Sequence, residues 1–153
     1  GDDEAGEGEE DRPTVVIQLT PANANASVGQ RVNIDVRLEG DADVFNAGLR
    51  IGFDSAVLRY VSATEGDLLS RDGADTTFTA AGGAGSSPLS LGITRIGNVG
   101  GVPAGGRLAT LVFEAVGPGD AVVEVQAAAV RGVDGRPLPL SMEPSTVSVS
   151  EDQ

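Results

Sequence analysis

Residues 45–70 read FNAGLRIGFDSAVLRYVSATEGDLLS. Phe45, Leu49, Ile51 and Phe53 fall on one parity, the pattern of a strand with one buried face. The opposite parity holds Asn46, Gly48, Arg50 and Gly52, a face nearly bare of side chains. Asp54 and Ser55 break the run, Val57-Leu58 begin a second strand, and EGDLLS is suited to a single helical turn. A strand, a tight turn and a strand, packed on one side only, argue for a sheet in an all-β protein.

The same period extends outward in both directions. RVNIDVRLE (31–39) sends Val32, Ile34, Val36 and Leu38 one way and Asn33, Asp35, Arg37 and Glu39 the other. TVVIQLT, TTFTA, SLGITRI, LATLVFEAV, AVVEVQAAAV and STVSVS read as further strands, giving about nine in all. ANANASVGQ (22–30) reads as a polar loop, and AAGGAGSSP, GNVGGVPAGG and GPGD as Gly-rich connectors that permit tight turns. Phe45, Phe53, Phe78 and Phe113 sit on inward parity, within a core otherwise made of Val, Leu, Ile and Ala. The expectation is one β-sandwich over residues 14–150, preceded by an acidic flexible tail over residues 1–13.

Composition removes several function classes. The 153 residues include no His and no Cys, so thiol chemistry, disulfides, His-ligated metals and a Ser-His-Asp triad are unavailable. Apolar runs are strand-sized, so no membrane insertion is expected. The first residues lack the basic and apolar pattern of an export signal, so such a signal was removed or never present. The formal charge is −13, of which residues 1–12 carry seven acids and one Arg. Such a surface repels nucleic acid and anionic membranes. The acid-Gly tail reads as a solvated spacer or tether, with a docking arm or metal-binding arm as the sharper alternative.

LRIGFDSAVLRYVSATEGDLLS, together with GRLATLVFEA and STVSVS, resembles the cohesin module of bacterial surface and cellulosome proteins. The most specific element is the spacing FD-x-x-VL-x-(Y/F)-V-x-(V/A)-x-x-GD-LL, running here from Phe53 to Leu69. The likeness covers residues 14–150. It implies a nine-stranded jelly-roll sandwich whose first and last strands lie side by side, without catalytic activity. It also implies an extracellular or cell-surface protein-interaction module that binds a dockerin-like or other surface partner through one open sheet face. On that resemblance the contact positions are Asn46, Gly48, Arg50, Thr77, Thr79, Ser90, Gly92, Thr94, Thr110, Val112 and Glu114. Asn46 matches a polar docking position of the family, whereas Gly48 stands where the family carries an acid, so the partner type is open. Arg50 is the strongest anchor, with a surface ion pair to Glu114 as its alternative role.

Other chemistry is less well supported. No spacing of carboxylates singles out a glycosidase pair, so no enzyme is expected. A carbohydrate-binding module would need exposed aromatic platforms, and only Tyr60 combines a ring with a polar handle. Calcium is the one metal matched by the oxygen ligands present, at Asp41 and Asp43, at Asp72 and Asp75, or in the tail; none of these fits an EF-hand loop. The rival to partner docking is a self-assembling surface subunit, joined to its copies by strand donation from the N-terminal segment 1–20.

Overall fold

The computed structural model describes residues 14–82 and 85–151, and the expected tail over residues 1–13 lies outside them. The described residues form thirteen strands: β1 (Val15–Thr20), β2 (Asn23–Ser27), β3 (Arg31–Gly40), β4 (Asp43–Val44), β5 (Asn46–Gly52), β6 (Leu58–Glu65), β7 (Thr76–Gly82), β8 (Leu89–Arg95), β9 (Val102–Pro103), β10 (Gly106–Ala115), β11 (Gly119–Arg131), β12 (Leu140–Glu143) and β13 (Ser145–Ser150). A five-stranded sheet runs β12-β1-β3-β10-β6 and a six-stranded sheet runs β2-β13-β11-β5-β8-β7, with β4 and β9 a separate pair. The all-β sandwich expected from the period-two pattern, with the jelly-roll topology that the resemblance implied, is the fold observed. The count rises above nine because four short segments, β2, β4, β9 and β12, also pair.

Both terminal segments cross from one sheet to the other, side by side. β1 runs parallel to β12 in the first sheet, and β2 runs parallel to β13 in the second. Buried Ser145 ties the crossing, its hydroxyl donating to the Pro21 carbonyl at 2.6 Å while the Thr146 N–H donates to the Ala22 carbonyl at 2.8 Å. β1 is also antiparallel to β3, so Val15–Thr20 has both edges paired within the sandwich and is not a free strand for donation. The polar run Asn23–Ser27 is a strand rather than a loop, because β13 offers its backbone a partner whatever the side chains.

The core lies between the sheets and takes the alternating apolar positions of each. Val32, Ile34, Val36, Leu49, Ile51, Phe53, Leu91, Ile93, Leu111, Phe113, Val147 and Val149 are all buried. Phe113 packs edge-on against Phe53, with ring centroids 4.9 Å apart and planes at 66°, and Tyr60 approaches it at 6.3 Å. Phe45 is only half-buried, because the chain jogs there between β4 and β5, and Ala47 takes the next inward position. EGDLLS forms hydrogen-bonded turns rather than a helix.

Gly66 explains part of that motif. Its N–H donates to the Leu108 carbonyl at 2.8 Å, and a Cβ built on it would lie 2.1 Å from the Arg107 carbonyl oxygen. Only a residue without a side chain lets this turn close against β10. Gly66→Ala must therefore separate two backbones, and a loss of about 1–3 kcal/mol in urea melts is the expected outcome. Phe113→Ala, which empties a large site at the centre of the core, costs about 3–5 kcal/mol in the same measurement.

Candidate interaction surface

β5 lies near the middle of the six-stranded sheet, and its register builds the outer face around it. Asn46 sits opposite Thr94 on β8 and Arg131 on β11; Gly48 opposite Gly92 and Ala129; Arg50 opposite Ser90 and Ala127. β7 continues the rows with Thr77 beside Thr94 and Thr79 beside Gly92. The paired glycines leave backbone uncovered at the centre. A Cβ on Gly48 would meet nothing closer than the Leu91 carbonyl oxygen at 4.0 Å. Around it lies a shallow, open depression of about 380 Å³ lined by Gly48, Leu49, Arg50, Ser90 and Ala127 to Ala129.

A bulge between Val125 and Ala127 shifts the register of β11, and Gln126 at that bulge lies where a Cβ on Gly52 would be, 2.1 Å from its side-chain nitrogen. Beyond the bulge β11 turns Ala127 and Ala129 onto the face. These two alanines and Arg131 belong to the surface and are absent from the positions expected from the sequence. The triple alanine at 127–129 was the available signal, but strict alternation through AVVEVQAAAV hides the change of parity.

Three expected contact residues do not belong here. Thr110, Val112 and Glu114 lie on β10, which pairs with β3 and β6 in the five-stranded sheet, so they face away on the opposite side of the sandwich. Alternation fixes inward and outward along a strand but not the sheet a strand joins. That opposite face is chemically different. Arg107 donates to the Thr110 hydroxyl at 2.6 Å, which donates to Asp35 at 2.7 Å, and Arg37 pairs with Glu39 at 3.0 Å. Glu114 pairs with Arg59, not with Arg50. Long side chains lie across this face and satisfy one another.

The calcium candidates have other partners or stand apart. Asp41 accepts the Thr14 N–H at 2.9 Å, and the Asp75 backbone carbonyl accepts the Ile96 N–H at 2.9 Å. Asp43 is exposed on β4. Asp72 is gripped by Arg95 through two bonds of 3.0 and 2.7 Å. Among the described residues no group of three or more acids stands together that could hold a metal.

Arg95, which sequence reading passed over, ends β8 on the inward side and is buried. It also donates to the carbonyls of Leu69 and Gly100, both at 2.7 Å, and so fastens the turn after GDLL to the loop following β8. The guanidinium bond to Asp72, helped by the Ala74 N–H, lowers the carboxyl pKa from 3.8 to about 2.

The comparisons with known proteins agree with this architecture. Residues 17–134 match the model of the Cohesin domain family. No curated protein matches the chain. A non-cellulosomal cohesin from the hyperthermophilic archaeon Archaeoglobus fulgidus superposes with a TM-score of 0.69 at 17% identity, covering 91% of each chain. The seventh ScaB type I cohesin of Pseudobacteroides cellulosolvens gives 0.71 at 16% identity, over 93% of this chain and 94% of that one. The sixth cohesin of Acetivibrio cellulolyticus scaffoldin B, solved in complex with a Cel5 dockerin mutant, gives 0.70 at 15% identity, over 90% and 99%.

Because the folded-state pKa of Asp72 lies below the unfolded one, its ionised form stabilises the fold above about pH 4. That contribution fades as pH falls from about 4 towards 2. Asp72→Asn should lower the melting temperature at pH 7, and the gap from wild type should shrink over that window and close below it. Thermal melts followed by circular dichroism across pH 2–7 check this.

Proposed function

We propose a function from one premise: the chain belongs to the cohesin family. It acts as a non-catalytic protein-binding module, and its contact surface is the outer face of β11, β5, β8 and β7. The observation that carries this reading is the pair Gly48 and Gly92, side by side at the centre of a sheet face, with small residues around them. A partner can approach such a face to backbone distance without displacing long ordered side chains, which limits the entropy lost on association. Four strands at about 4.8 Å spacing and seven residues at about 3.3 Å give a platform about 15–20 Å across, wide enough for a helix about 10 Å in diameter.

The partner class is a dockerin-like module, and the setting is extracellular or at the cell surface. Support comes from relatives of the same fold solved with dockerins, in Acetivibrio cellulolyticus and Clostridium thermocellum. The absence of His and Cys argues against nucleophilic catalysis. Carbohydrate stacking is disfavoured because Phe53 and Phe113 are buried, while Phe45, Tyr60 and Phe78 are at least half-covered.

Titration calorimetry against a panel of purified dockerin modules tests the reading. Wild type is expected to bind at least one of them. Gly48→Arg, whose Cβ meets nothing closer than 4.0 Å, should weaken that binding at least tenfold, whereas Thr64→Arg on the opposite sheet should leave it within twofold. Equal binding by Gly48→Arg, or loss with Thr64→Arg alone, would overturn the surface assignment.

A further inference from the structure

Arg50 is exposed on the face just described, and among the described residues its guanidinium makes no hydrogen bond or ion pair, which sets it apart from most arginines there. Arg37, Arg59, Arg95 and Arg136 are paired with carboxylates, and Arg71 and Arg131 donate to backbone carbonyls. Among the described residues the other arginine with no side-chain partner, Arg31, begins β3 on the opposite sheet. Across the strands Arg50 has only Ser90 and Ala127, and along its own strand only Gly48 and Gly52. The acid next along the face, Glu124 opposite Gly52, makes no ion pair with it.

In a chain with a formal charge of −13, an intramolecular carboxylate for this cation would be easy to supply, and none of the described residues supplies one. We infer that the partner supplies it: the module recognises a protein surface carrying an Asp or Glu, flanked by small side chains, that seats its carboxylate on the Arg50 guanidinium. The inference rests on the sheet-face reading above and adds the partner's chemistry to it.

Three arguments lead to this occupant. A guanidinium offers a planar fork that a carboxylate fills with two parallel bonds, stronger and more directional than a point-charge contact. Arg50 lines the depression with glycine and alanine around it, so water is excluded once a partner surface lies down, and the pair strengthens as it is desolvated. Charge also rules among the candidates. A second copy docked face to face about a two-fold axis would bring Arg50 and Arg131 of each copy near their counterparts, between two chains of like charge. Nucleic acid is repelled by the chain as a whole. A different protein with a local acid matches the one unmatched cation that the described residues place on this face.

A phage-displayed library on a dockerin scaffold, randomised across its exposed helix positions, tests the inference. Clones selected on wild type are sorted by whether Gly48→Arg blocks them, which isolates binders of this face. Among those, an acid is expected at a recurrent position, Arg50→Gln should weaken binding at least tenfold, and the affinity should fall as salt rises from 50 to 500 mM. Selection on Arg50→Glu should return Lys or Arg at the same position. Face-dependent clones without an acid, or indifferent to Arg50→Gln within twofold, would overturn the carboxylate inference and leave the face reading standing. If no clone is blocked by Gly48→Arg, the face reading falls, and this inference falls with it.

Discussion

The ring of Phe113 sets the register from which the rest of the sandwich follows. It is fully buried, and its edge-on contact with Phe53 joins the two sheets across the core. Side chains alternate with a period of two, so placing Phe113 inward also places Leu111 inward and turns Thr110, Val112 and Glu114 to solvent. A slip of one residue would drive the Arg107–Thr110–Asp35 network into the apolar interior, where its charges would lose hydration. On the facing sheet, Phe53 and Ile51 anchor the end of β5, and the same parity leaves Gly48 and Arg50 outside. The bare face is therefore a consequence of the core as well as of local composition.

The two outer faces show two ways to finish a sheet. On the five-stranded side, long charged side chains lie across the strands and pair with one another, each exposed pair worth about 0–1 kcal/mol. Their main effect is to occupy the surface. On the six-stranded side the central rows carry glycine, alanine, serine and threonine, and little has to be desolvated or immobilised when another surface arrives. One sandwich thus presents a covered side and an open side, and the open side holds a cation with no partner among the described residues. The proposed contact surface is thus the face whose own interactions are incomplete.

Beside the loops, Arg95 acts as an internal clamp. It holds Asp72 together with the carbonyls of Leu69 and Gly100, and so ties the segment after GDLL to the loop after β8. Gly66 closes the same region against β10 by having no side chain. These contacts account for a motif legible in the sequence whose purpose was not: Gly66 serves a close backbone approach, and Leu68 and Leu69 fill the core beside it.

The sequence by itself determined the strand parities outside the β11 bulge, the all-β sandwich, buried positions such as Val32, Phe113 and Val149, and the open Asn46-Gly48-Arg50 row at the heart of the candidate surface. Each of these is local, because side-chain alternation is written into consecutive residues. Tertiary structure alone decided which strands became neighbours. It sent β10 to the opposite sheet, with Thr110, Val112 and Glu114, and brought Ala127, Ala129 and Arg131 in through a bulge. It also made a strand of Asn23–Ser27 and committed Asp72 to Arg95. Strand pairing is made by backbone N–H and C=O groups that are alike in nearly every residue, so the sequence carries little record of the partner each strand will find.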